Sequence, residues 1–336
     1  MTPAYSEAMR RAVAEARKWM GATSPNPCVG AAALDADGNI LAVAAHRKAG
    51  GPHAEAALIA ACRYSGILAS VQTLCVTLEP CNHTGRTPPC AEAIIKAGIR
   101  RVVVGTKDPN PEVRGGGIAA LRAAGVEVIE GVEENLCRQI LYSFAFSVTQ
   151  KRPWITVKRA FDSNDSMIPP RGKKSFTSPS SLRLAHRLRK GADAIMTGSG
   201  TILADNPLFT VRHVADFGGK KRLLVIMDRR RRVSSDYLRR AEGNGFHPVL
   251  CDGIDQALEL FSAHSVRNLL VEAGPLLSTT ILEKGLWNLQ IDIRRQSDDT
   301  PDLVIPSLNQ ATVLPFDASD WDLENLLPYE SEEACL

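Results

Sequence analysis

Two hydrophobic periods alternate along the chain, and that alternation constrains the fold more than any other feature. Over residues 6–20, Met9, Ala12, Val13, Ala16, Trp19 and Met20 recur at three- and four-residue steps, which predicts an amphipathic helix with Ser6 as N-cap. Turn residues 23–27 then lead into apolar runs 29–34 and 40–45, a strand hairpin around the turn at 35–38. A helix follows over 53–63, then a buried strand over 73–78, a helix opened by Pro88 and Pro89 and closed by Gly98, a strand over 101–105, a helix over 118–124 and a strand over 126–129. Lys151, Arg152 and Pro153 end a helical stretch near Thr149 and begin a second block of the same grammar. Its helices are expected at 180–190, 254–263 and 276–284, and its strands at 154–158, 194–197, 223–227, 248–251 and 268–272. Both halves therefore read as α/β.

The 336 residues suit two cores, at roughly 100–200 residues per domain. We expect domains at 1–148 and 151–320 and a loosely held acidic tail at 321–336, where periodicity fades. With 44% hydrophobic and 23% charged residues, wholesale disorder is unexpected. A net charge of +3 argues against a protein that coats nucleic acid or an acidic membrane. No apolar run approaches the ~20 residues of a spanning helix, and residues 1–11 lack the basic-then-apolar pattern of a secretory leader, so a cytoplasmic location is expected. Eight dispersed cysteines then point to buried or metal-bound thiols rather than disulfides.

His53 and Glu55 open a helix behind Pro52, while Cys81 and Cys90 each follow a proline on the far side of a strand. One imidazole and two thiolates suit zinc, and a fourth tetrahedral position left to water distinguishes a catalytic from a structural ion. Glu55, two residues from His53, has the placement of the acid that carries protons in zinc deaminases. Taken singly, a His-x-Glu pair or two cysteines are ordinary; together they point to hydrolytic deamination of an amidine-like ring carbon. The general signature separates its cysteines by two residues, whereas here residues 82–89 intervene.

That longer loop is diagnostic. The run Thr77-Leu-Glu-Pro-Cys-Asn-His-Thr-Gly-Arg-Thr-Pro-Pro-Cys90 closely resembles the zinc motif of the bifunctional riboflavin-biosynthesis deaminase/reductase (RibD) family, as do residues 23–30, His46, 51–55 and 107–111. The resemblance implies a cytidine-deaminase-like three-layer fold with His53, Cys81 and Cys90 on Zn2+ and Glu55 as proton shuttle. It also implies a phosphorylated pyrimidine substrate, a diaminopyrimidinone ribosylamino 5'-phosphate. Asn26 would hold the ring, and His46, His83, Asp108 and Asn110 would line the ribose and phosphate side. Asn26 and Asp108 lie beside prolines and equally suit plain turns. Cys28 matches no ligand position and reads as a small core residue.

Residues 151–290 resemble the same family's reductase domain, which is dihydrofolate-reductase-like and uses NADPH to reduce the ribose to a ribityl chain. The matching segments are 192–212 and 271–275. The resemblance implies that Thr201, Asp205 and Gly274 contact NADPH and that Arg189, Arg212 and Glu272 contact the substrate. This chain departs from the family at several points: Asp162-Ser-Asn-Asp165 stands where Ser-Leu-Asp-Gly is usual, and Gly172-Lys-Lys-Ser-Phe176 where a Gly-x-Ser-x-Trp turn is usual. Arg229 replaces a Ser after Asp228, Phe209 replaces a Leu, and strands beyond Trp287 are hard to recognise. The run 229–232 of four arginines reads as a solvated edge, a phosphate site or, last, a nucleic-acid contact.

The first reading is a zinc deaminase of the riboflavin route, followed by NADPH-dependent reduction. A second keeps the deaminase but places it in a toxoflavin-like antibiotic pathway with an inactive reductase-like domain. A scaffold with structural zinc fits less well because such a site needs no Glu55. A nucleic-acid base deaminase fits less well because the chain is nearly neutral. No nucleic acid or membrane partner is expected; the expected assembly is a homo-oligomer, a dimer.

Overall fold

The computed structural model describes residues 2–82, 89–111, 116–168, 177–296 and 300–329. They form two compact units, the first holding Met1–Gln150 with Leu314–Tyr329 and the second Lys151–Val313.

In the first unit the elements run α1 (Pro3–Arg17), β1 (Gly30–Leu34), β2 (Ile40–Ala45), α2 (Ala54–Tyr64), β3 (Thr73–Leu78), α3 (Cys90–Lys96), β4 (Arg101–Thr106), α4 (Gly116–Ala123), β5 (Glu127–Glu130), α5 (Glu134–Ile140) and α6 (Tyr142–Gln150). The five strands order as β2-β1-β3-β4-β5, with β1 antiparallel to both neighbours and β3, β4 and β5 parallel. Every residue of β3 is buried, as a strand covered by helices on both faces requires. The first helix starts four residues earlier than Ser6 as N-cap implies. Thr2 is its N-cap and Pro3 occupies the first turn, where a fixed φ and a missing N–H cost nothing. Gly30 lets α1 sit directly on β1: a Cβ there would lie 2.0 Å from the Ala12 carbonyl oxygen.

The segment Leu314–Tyr329 corrects the expected loose tail, because it packs on this first unit rather than closing the second. Phe316, Leu326 and Leu327 are buried. Two amide side chains on α5 hold its backbone: Asn135 Nδ2 donates to Asp320 O (2.7 Å) and Gln139 Nε2 to the same oxygen (2.7 Å). In return Asp317 N donates to Asn135 Oδ1 (2.7 Å), and Asp322 N and Asn325 Nδ2 donate to Gln139 Oε1 (3.0 and 3.1 Å). Tyr329 N donates to Arg17 O (3.0 Å).

The second unit runs β6 (Trp154–Phe161), α7 (Pro179–Gly191), β7 (Ala194–Gly198), α8 (Ser199–Asp205), β8 (Arg222–Met227), α9 (Ser235–Gly243), β9 (Phe246–Cys251), α10 (Ile254–Ala263), β10 (Asn268–Glu272), α11 (Pro275–Glu283), β11 (Leu289–Arg294) and β12 (Leu303–Leu308). Its seven-stranded sheet orders as β12-β11-β6-β10-β7-β8-β9, all parallel except β12. The core on one face gathers Ile155, Val157, Met196, Val225, Phe261, Leu269 and Val271. The carboxyl ends of β7 and β10 carry the turns Gly198 and Gly274, which lead into α8 and α11; such strand ends are where open parallel sheets bind ligands.

Candidate active site and metal centre

His53 is the N-cap of α2 in extended conformation and makes no side-chain cap bond, which leaves its ring for another task. Cys90 begins α3, and Cys81 follows β3 by three residues. The ligand atoms of His53, Cys81 and Cys90 all lie within 4.8 Å of one another. His53 Nδ1 is 3.6 Å from Cys81 Sγ and 3.3 Å from Cys90 Sγ. Bond lengths of 2.0–2.1 Å to nitrogen and 2.3 Å to sulfur on one tetrahedral zinc place N and S about 3.6 Å apart, so the trio fits the ion. Among the described residues no other group of this kind is assembled.

The start of α3 turns its amides onto Cys81: Cys90 N donates to Cys81 Sγ (3.4 Å) and Ala91 N to Cys81 O (3.1 Å). The Cys90 thiol against Cys81 holds the Cys81 thiol down at about 4 against the opposing effect of burial, and His53 adds to the lowering. Its neighbour Cys90 is pushed up by that same Cys81 sulfur, and His53 is raised chiefly by its hydrogen bond to Cys81. The surroundings therefore stabilise the thiolate of Cys81. Glu55, in the first turn of α2 and 3% exposed, meets Cys90 with its carboxyl group. Burial pushes it up to about 7, and the Cys81 charge adds to the rise, leaving it able to take and give a proton near neutrality.

Asn26 and His46 join this centre. His46 packs edge-on against His53, ring centroids 5.5 Å apart. Its Nδ1 lies 2.8 Å from Pro52 O, which only accepts, so Nδ1 carries the proton and Nε2 accepts from Asn26 Nδ2 at 3.3 Å. Burial holds the His46 ring below the ordinary histidine range, reinforced by His53, which keeps it in that neutral tautomer. Asp108 and Asn110 follow β4. Asp108 Oδ1 accepts from Asn110 N (2.8 Å), so one carboxylate oxygen serves the turn. That loop is tied to the zinc ligands through Glu79, whose Oε2 accepts from Asp108 N (3.2 Å). Sequence reasoning passed over Glu79; the available signal was an acidic residue directly after the buried strand Thr73–Leu78, which needs donors once buried itself. His83 lies outside the described residues. Cys28 is a core thiol whose Sγ donates to Ala16 O (3.0 Å).

In the second unit Thr201 and Gly274 meet: Gly274 N donates to Thr201 Oγ1 (3.0 Å). A Cβ at Gly200 would touch nothing within 4 Å, and one at Gly274 only Thr201 Oγ1 at 3.5 Å. Protein packing therefore does not demand these glycines, which leave room for a ligand's close approach at the strand ends. Asp205 is the last residue of α8 and exposed. Arg189 and Glu272 face each other bidentately, Nε to Oε1 and Nη2 to Oε2 at 2.7 Å each, with Lys158 Nζ 3.7 Å from Oε2. Burial opposes ionisation of Glu272, but the Arg189 and Lys158 charges overrule it and lower the carboxyl to about 2. The Arg189 fork is therefore occupied, whereas Arg212 is exposed, its backbone N donating to His186 Nδ1 (2.7 Å) and its Nη1 to Thr210 Oγ1 (2.6 Å). At two of the departures from the family pattern the backbone is left-handed, Asp165 at φ 62° and Phe209 at φ 56°. The segment Gly172 to Phe176 lies outside the described residues. Arg229 to Arg232 form an exposed turn, with Arg232 Nη2 donating to Ser199 Oγ (2.9 Å).

A deaminase-type zinc site in a three-layer unit, carried on one chain with a parallel-sheet reductase unit, defines a two-domain zinc deaminase/reductase. Comparison agrees: residues 3–106 match the cytidine and deoxycytidylate deaminase zinc-binding region, and residues 153–290 match the RibD C-terminal domain. Riboflavin biosynthesis protein RibD of Aquifex aeolicus is 36% identical over 301 residues, covering 83% of each chain; that of Escherichia coli is 40% identical over 205 residues, covering 61% of this chain and 55% of its own. A solved diaminohydroxyphosphoribosylaminopyrimidine deaminase/5-amino-6-(5-phosphoribosylamino)uracil reductase from Thermotoga maritima superposes with TM-score 0.76 at 30% identity, covering 95% of this chain and 93% of its own. Acinetobacter baumannii RibD gives 0.75 at 30% identity, covering 95% and 91%. The chain belongs to the RibD family. Among the described residues no helix is long and apolar enough to cross a membrane.

Proposed function

We propose that the chain hydrolyses the ring amino group of a diaminopyrimidinone ribosylamino 5'-phosphate to the aminouracil form and then reduces the ribosyl group to ribityl with NADPH, in riboflavin biosynthesis. The observation that carries this reading is the His53/Cys81/Cys90 trio with a buried Glu55 beside it. Zinc held there supplies Lewis acidity that lowers the pKa of a water from ~15.7 towards ~7. Glu55 takes a proton from the attacking water and delivers it to the leaving nitrogen, so ammonia departs as the ring carbonyl forms. Asn26, its amide nitrogen directed to His46, keeps its oxygen for N–H groups of the heterocycle. The Asp108–Asn110 loop and His83 take the ribose phosphate side. NADPH supplies a hydride in the second unit, where Thr201, Asp205 and Gly274 hold it and Arg212 binds the substrate phosphate, with Arg189 fixing Glu272 beside it.

The match to a riboflavin biosynthesis protein across both units disfavours the antibiotic-pathway reading. A dimeric homo-oligomer in the cytoplasm completes the proposal. The test is ammonia release from that substrate, read by a nicotinamide-independent colour reaction, with NADPH consumption followed afterwards. Glu55→Gln should retain zinc and lose ammonia release by on the order of 10²–10⁴-fold. A variant that still deaminates at the parent rate contradicts the role of Glu55.

A further inference from the structure

We propose that Glu79 is a positioning residue that locks the substrate loop Asp108–Asn110 to the zinc-ligand segment, an inference that rests on the deaminase reading above. Glu79 is 5% exposed and stands two residues before Cys81. Its Oε1 accepts from Gly117 N (3.1 Å) and Ile118 N (3.2 Å), the first turn of α4, while Oε2 accepts from Asp108 N (3.2 Å). Its own backbone N donates to Thr106 O (2.9 Å), continuing the β3–β4 pairing to the rim of the site. Pro80, the next residue, is pressed against α4 so closely that a Cβ on Gly117 would lie 1.7 Å from Pro80 O. One carboxyl group thus stands where three segments meet: the approach to Cys81, the helix behind it and the loop that carries Asp108 and Asn110.

A helix cap alone does not explain the arrangement. Capping α4 needs a single acceptor oxygen, and Ser, Thr or Asn from the preceding loop usually supplies it. Here the second oxygen points away from the helix to Asp108 N, so a side chain with two acceptors is required. Glutamine has the same shape but offers one oxygen and an NH2 group. In Glu79→Gln the oxygen stays with the two α4 donors, and the NH2 faces Asp108 N, donor against donor. The loop is released while helix and zinc site remain.

The experiment measures Glu79→Gln in the full zinc-loaded chain for zinc content, thermal midpoint, kcat and KM of ammonia release. We expect one zinc per chain as in the parent, kcat within about twofold, and KM raised about tenfold, the effect of losing one hydrogen bond to a charged group. In the double variant with Asp108→Ala, KM should rise no further than in Asp108→Ala alone. Unchanged KM, multiplicative KM effects, or a fall in kcat that merely tracks lost zinc would overturn the proposal. Hydrogen exchange of the Asp108 amide in the parent chain supplies a readout independent of folding of the variant and of catalysis: slow exchange is expected, and exchange at the rate of an open amide contradicts the lock. A parent chain that releases no ammonia but protects this amide would refute the deaminase reading and leave the lock standing.

Discussion

Glu272→Gln should cost the second unit several kcal/mol at neutral pH and almost nothing in strong acid. The carboxyl is lowered from 4.5 to about 2, and that difference corresponds to about 3 kcal/mol of stability. Because the folded value is the depressed one, the unfolded chain binds the proton first. The contribution is fully present above about pH 5 and is lost as pH falls towards 2. Replacement by Gln leaves the Arg189 guanidinium buried without its carboxylate, a change that costs about 3–5 kcal/mol in comparable pairs. The gap between parent and variant should therefore be flat from pH 8 to 5 and close below. His186, which burial and the Arg189 charge hold down at about 3, also destabilises the fold below pH 6.5; down to about pH 3 both proteins share that loss, and only below it does the Glu272 charge, which raises His186, make the two differ. Urea unfolding can isolate the second unit in a Trp19→Phe, Trp321→Phe background, where Trp154 and Trp287 are the remaining indoles. A gap that stays constant down to pH 3, or widens, refutes the assignment of Glu272 as an ion-paired carboxylate.

Gly117→Ala forces a Cβ to 1.7 Å from Pro80 O, so it should destabilise the first unit by about 1–3 kcal/mol and weaken zinc retention against a chelator. Unchanged zinc affinity and midpoint would contradict the packing of α4 on the ligand segment. Gln139→Ala removes the Gln139 hydrogen bonds to Asp320, Asp322 and Asn325, leaving Asn135 on Asp320, and should cost about 1–3 kcal/mol, exposing the bond after Trp321 to chymotrypsin at a faster rate than in the parent. Equal cleavage rates would show that the strap is held by other contacts.

Much of this architecture was legible because it rests on periodicity. Strands at Thr73–Leu78 and Asn268–Glu272 and the helix at Ile254–Ala263 have the bounds that apolar spacing implies. The zinc ligands were legible for a different reason: His53 and Cys90 at helix starts and Cys81 just after a strand, each behind a proline, combine into a pattern with few other uses. The strap at Leu314–Tyr329 was not, since only Phe316, Leu326 and Leu327 mark it and amide side chains 180 residues away hold its backbone. The helix at Ser199–Asp205 hid behind a Gly-rich turn, β11 alternates apolar with polar or charged residues, and β12, at the sheet edge, is interrupted by Pro306 and Ser307. Glu79 was visible in the motif but its purpose was not, because its partners at 108, 117 and 118 become neighbours only through the β3–β4 pairing and the seat of α4.

The central claim is that His53, Cys81 and Cys90 hold one zinc and that hydrolysis depends on it. Stripping the chain of metal and titrating zinc back while recording ammonia release tests this directly. The account predicts a linear rise that breaks at one zinc per chain, with Cys90→Ser removing the break. Full activity in the metal-free chain, or a rise that continues past that point in parent and variant alike, would contradict it.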